Sequence, residues 1–113
     1  MTASVGIFFH SALIAAPTVV GSSKTDDTVL LLKQPPLARD LLSCTSSDAD
    51  TSDAAPAGTQ IAYVQVQQGK RVYYEVTPAG HTPRAPDSGS PILEGNTILQ
   101  CGPGWQIAAR EVA

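Results

Sequence analysis

The sequence predicts a mainly β protein: a small antiparallel β-sandwich or barrel built from hairpins, with an extended N-terminal arm and long loops. Three observations predict it. No part of the chain sustains a 3.6-residue apolar period. Short runs of β-branched and aromatic residues alternate with polar ones, as in Arg71-Val72-Tyr73-Tyr74-Glu75-Val76. Nine glycines and nine prolines punctuate 113 residues, which interrupts helices and supplies turns.

The elements follow in order. Val5, Ile7 and Phe9 alternate within the apolar run Val5 to Ile14, which reads as a strand. Thr28 to Lys33 is an apolar run that reads as a buried strand, ended by Pro35-Pro36. Leu37 to Leu42 has apolar residues at i, i+4 and i+5, the spacing of one or two helical turns. Thr45 to Gln60 (TSSDADTSDAAPAGTQ) has no large apolar side chain and no basic residue. Such a tract is expected to be flexible alone and ordered by contact with a partner, because it buries too little to offset its ordering entropy. Ile61 to Gln67 reads as a strand, with Val64 and Val66 on one face. Gln68-Gly69-Lys70 reads as a hairpin turn, and Arg71 to Val76 as the return strand, with Val72, Tyr74 and Val76 inward. Thr77 to Pro91, with its four prolines, is a long loop. Asn96 to Cys101 is a strand, Gly102-Pro103-Gly104 a tight turn, and Trp105 to Val112 the returning strand.

Three regions emerge: an apolar arm or strands over 1–43, an acidic small-residue linker over 44–60, and a β-hairpin unit over 61–113, together one compact domain. The expected core draws on Ile7, Phe9, Leu30, Leu32, Val64, Val66, Val72, Tyr74, Val76, Ile98, Leu99, Trp105 and Ile107. Trp105, the only tryptophan, is its expected anchor.

Composition narrows function. Only 15% of residues are charged, against about 25% in typical soluble domains. A low charge density favours lasting contacts over free solution. The net charge of −3 offers no attraction for nucleic acid or an anionic membrane. The first 23 residues carry no charge, yet the apolar run lacks the basic flank of a signal peptide. It is also shorter than the about 20 residues of a spanning helix.

Chemistry is sparse. Cys44 and Cys101 are a single pair, read as two buried thiols, with one disulfide as the alternative. His10 and His81 have no metal-ligand spacing. Ser88-Gly89-Ser90-Pro91 is loop chemistry rather than a nucleophile, and Asp26-Asp27 reads as a turn or strand entry. Asp48, Asp50 and Asp53 are spaced as calcium ligands are, but the turn glycine and terminal Glu of such a loop are missing. Lys70-Arg71 beside Tyr73-Tyr74 flanks a turn, where charges normally sit. No catalytic, cofactor or metal residue is assigned.

By elimination, the expectation is a non-enzymatic structural subunit of a larger assembly. The best fit is a virion protein assembled in the host cytoplasm, such as a capsid cement (decoration) or head–tail component. Its partners would be copies of itself or other particle proteins, with no nucleic acid and no membrane. Phe8, Phe9, Leu13 and Ile14 are the expected assembly contacts, being too many large apolar groups to leave wet in a monomer. The alternative is a secreted or surface β-rich binding module with a Cys44–Cys101 disulfide.

Overall fold

The computed structural model describes residues 2–17 and 28–113, and over 13–17 and 28–31 its backbone. Two antiparallel four-stranded sheets face each other. The first contains β1 (Ala3–His10), β4 (Ala38–Cys44), β6 (Ile61–Val66) and β9 (Asn96–Gln100), in the order β4-β1-β6-β9. The second contains β5 (Asp50–Thr51), β7 (Arg71–Thr77), β8 (Ile92–Glu94) and β10 (Gln106–Glu111), in the order β5-β10-β7-β8. A separate ribbon is formed by β2 (Leu13–Pro17) and β3 (Thr28–Leu32). The fold is therefore the sandwich of the two expected forms, not a closed barrel, and the described residues include no helix.

Strand alternation explains the core. Ala3, Val5, Ile7 and Phe9 of β1 point inward and are buried, as are Leu42 and Cys44 of β4 and Ala62, Val64 and Val66 of β6. Val72, Leu93, Ile107 and Ala109 meet them from the second sheet. Tyr74, Val76, Leu99 and Trp105 are half-buried and pack around this cluster. Trp105 thus borders the core rather than filling its centre, which Phe9, Ile7, Leu42 and Ile107 occupy. Its indole covers Gly102, where an added Cβ would lie 2.9 Å from the ring nitrogen. Leu30 of the expected core has its side chain outside the described residues.

Four expectations are corrected. Leu37 to Leu42 is not helical: Ala38–Cys44 is a strand, pairing with β1 from Ala3↔Cys44 to Phe9↔Ala38. Leu41 and Leu42 therefore face opposite ways, Leu41 to solvent and Leu42 into the core. Ile98 is not in the core but 46% exposed, because Leu99 beside it takes the inward position. The two turns read as hairpins are arches. Lys70 N–H closes a turn onto Gln67 O and Trp105 N–H closes one onto Gly102 O, but each turn carries the chain from one sheet to the other. Accordingly β6 pairs with β1 and β9, and β7 with β10 and β8. Regions 1–43 and 61–113 share one core.

The fourth correction concerns Thr45 to Gln60, which is built into the sandwich. Ser52, Ala55 and Thr59 are buried. Ser52 N–H donates to Ile107 O, Ala55 N–H to Trp105 O and Gln60 N–H to His10 O. Small side chains let the segment lie flat across the open flank between β4 and β10, so backbone hydrogen bonds replace the apolar burial it lacks. On the other flank the chain passes from β8 to β9 through Gly95, whose φ of +73° an L side chain rarely adopts.

Candidate interaction surface

The outer face of the first sheet is the most apolar exposed feature among the described residues. Alternation sends Ser4, Gly6 and Phe8 of β1, Arg39 and Leu41 of β4, Tyr63 and Gln65 of β6, and Asn96 and Ile98 of β9 away from the core. Register aligns Arg39, Phe8, Tyr63 and Ile98 in one row across all four strands. Leu41, Gly6, Gln65 and Asn96 form the next row. The Phe8 and Tyr63 rings lie 6.3 Å apart, tilted by 37°, within the range of favourable aromatic pairs. Leu41 is 69% exposed. Gly6 keeps the floor low, since a Cβ there would meet the Phe8 ring at 3.4 Å.

Depressions flank Phe8 on this face. One, of about 230 Å³, lies between the Phe8 and Tyr63 rings and Leu32, Gln34 and Pro36 at the base of the ribbon. Another, of about 280 Å³, lies between Phe8, Gly6 and Leu41. The first is lined also by His10 and Gln65, and the second by Arg39 and Asp40. The aromatic and aliphatic groups of this surface can bury apolar side chains of a partner.

The expected contact residues separate. Phe8 is half-buried on the outer face, while Phe9 is fully buried in the core and is unavailable to a partner, a correction imposed by alternation. Leu13 and Ile14 lie in β2, opposite Leu32 and Leu31 of β3, and their side chains fall outside the described residues. Leu41, Tyr63 and Ile98, which complete the patch, were missed. Period-2 reading of β1 and β6 marks their outward positions, but only the pairing reveals that these positions line up.

The other chemistry-bearing groups are the two histidines, the two cysteines and the carboxylates. His10 is buried, and its Nδ1–H donates to Lys33 O at 3.0 Å. His81 is exposed in the loop after β7. Cys44 and Cys101 are buried free thiols. Burial raises both pKa values, for Cys101 to about 11, and for Cys44 the Glu111 and Asp50 carboxylates add to the effect. Cys44 is level with Ala3 at one end of the first sheet. Cys101 follows Gln100, level with Ile61 and His10 at the other end. Seven residues of strand separate those ends, about 23 Å, far beyond the about 4.4–6.8 Å between the Cα atoms of a disulfide.

Of the three residues read as possible calcium ligands, Asp50 caps backbone, as does the nearby Asp40. Leu41 N–H donates to Asp40 Oδ1 at 2.9 Å, and Asp53 N–H to Asp40 Oδ2 at 2.9 Å. Ser43 N–H donates to Asp50 Oδ2 at 3.0 Å. No group of His, Cys, Asp and Glu suited to a metal occurs among the described residues. Asp26 and Asp27 lie outside them. Compared with known protein families, curated proteins and solved structures, the chain matches none.

Proposed function

We propose that the protein is a non-enzymatic structural subunit of a larger assembly, best matched by a virion protein such as a capsid cement or head–tail component. The observation that carries this reading is the apolar row on the outer face of the first sheet, with the ribbon rising beside it. β2 and β3 pair with each other and with neither sheet. Register places Leu13 opposite Leu32 and Ala15 opposite Leu30 on one ribbon face, and Ile14 opposite Leu31 and Ala16 opposite Val29 on the other. Neither face carries a charge. A two-stranded ribbon is marginal in water by itself, and one apolar on both faces gains stability by lying against another subunit. The secreted alternative loses its main support, since its two cysteines sit at opposite ends of the sheet.

Gradient sedimentation of particles from cells making the tagged chain tests the proposal, followed by mass spectrometry of the particle fraction. The full chain is expected in that fraction. A chain lacking residues 11–34 is expected at the top of the gradient. Recovery of the full chain only as a small free protein would refute the assembly role.

A further inference from the structure

We infer that β9 is a self-association edge: two copies of the chain pair β9 with β9, antiparallel about a two-fold axis at Ile98, joining their first sheets into one eight-stranded sheet. The inference goes beyond the assembly reading. It concerns one edge and one partner, and the mass of the protein alone in solution decides it, whatever particle the chain joins.

In an antiparallel ladder alternate residues bond to alternate neighbours. Val66 N–H donates to Gly95 O and Cys101 N–H to Gln60 O, so the residues of β9 in phase with these, Thr97 and Leu99, bond to β6. Asn96, Ile98 and Gln100 consequently turn their N–H and C=O groups to the open side. Among the described residues none bonds to them there. All three residues are exposed.

The other three sandwich edges are protected. On β4, the outward N–H groups of Leu41 and Ser43 are taken by Asp40 and Asp50. β5 has two residues. β8 has three, lies between Pro91 and Gly95, and carries Glu94. Short length, charge and proline are the ordinary devices that stop edges from pairing. β9 has none of them: it is five residues long, without charge or proline.

Its sequence, Asn-Thr-Ile-Leu-Gln, is also self-complementary. A two-fold axis at Ile98 sets Ile98 against the second copy's Ile98 and Asn96 against its Gln100. The apolar pair then sits at the centre, with a neutral amide pair on each side able to exchange side-chain hydrogen bonds. The row Phe8-Tyr63-Ile98 continues without interruption into the same row of the second copy, and Ile98 gains the cover it lacks in one chain.

Light scattering and sedimentation equilibrium on the full chain are expected to give twice its 11.7 kDa mass. Ile98→Pro removes an N–H that β6 does not use, so the fold is spared and the mass is expected to halve. Ile98→Cys supplies a test of register. The two new thiols would face each other with Cα atoms about 5.5 Å apart, within disulfide reach, and mild oxidation should cross-link the dimer. Asn96→Cys puts its two copies about 13 Å apart along the strands and should stay uncross-linked. A monomeric wild type at its highest soluble concentration overturns the inference. So does a dimer that survives Ile98→Pro, or equal cross-linking by the two cysteine variants.

Discussion

At the scale of single residues, the two cysteines illustrate burial overriding reactivity. Each sulfur sits in the interior near a carbonyl oxygen, Cys44 at 3.6 Å from Ala3 O and Cys101 at 3.8 Å from Gly102 O. Neither can form thiolate cheaply. Native protein at pH 8 should therefore resist a thiol reagent that labels both sites after unfolding. The linkage has a definite sign. The folded chain holds the Cys101 proton up to about pH 11, while the unfolded chain releases it near 9.0. Between those values the unfolded state binds fewer protons, so stability should fall as pH rises through that window. Denaturant titrations at several alkaline pH values would show a falling midpoint, and Cys101→Ala would flatten the trend. A second contrast separates two of the three aromatics expected in the core. Phe9→Ala empties its centre and should cost about 3–5 kcal/mol. Trp105→Ala removes a half-buried ring at its border and should cost less, as chemical denaturation of both variants would show. Phe9 was legible from alternation with Ile7. Ile98 was not, because Ile98-Leu99 offers two apolar neighbours and only strand pairing decides which one turns inward.

At the scale of elements, most strands were legible in position: β1, β6, β7, β9 and β10 all fall within the runs read as strands. β4 was not, since Leu37, Leu41 and Leu42 imitate helical spacing while the strand needs only Ala38, Leu42 and Cys44 inward. The linker was misread for a related reason. Its order comes from backbone pairing with β10 and from carboxylate caps, and neither leaves an apolar signature. Asp50 holds both Ser43 N–H and Thr51 N–H. Asp50→Ala should therefore lower stability by about 1–2 kcal/mol and raise aggregation, because it uncovers an edge that the wild type protects. In hydrogen exchange on the isolated chain, the Ser52 and Ala55 amides should be protected to nearly the same degree as core amides of β10, since they bond to that strand's end. Rapid exchange at both would restore the flexible-linker reading.

At the scale of the whole molecule, the sandwich was legible and its surface only in part. Phe8 was anticipated as a contact, but its neighbours Leu41, Tyr63 and Ile98 come from three other strands and meet only after folding. Leu41→Asp, at a site 69% exposed, should leave stability within about 1 kcal/mol while abolishing recovery in the particle fraction. The molecule measures 55 × 32 × 22 Å with a radius of gyration of 15.9 Å, against about 13 Å for a compact chain of this size. The arches that join the sheets have a kinetic consequence. With β6 and β7 in different sheets, and β9 and β10 likewise, closing either turn completes no ladder. β1 must instead find β6 across the intervening chain of residues 11–60. The loop-closure entropy of such distant pairings comes before their reward. Refolding is therefore expected on the millisecond-to-second scale of β-sandwiches, with no early hairpin at either of these two turns in pulsed hydrogen exchange. On the ribosome the first sheet stays without one edge strand until Gln100 has emerged. The inner face of β1 meanwhile waits for the second sheet, whose β10 follows β9 in the chain.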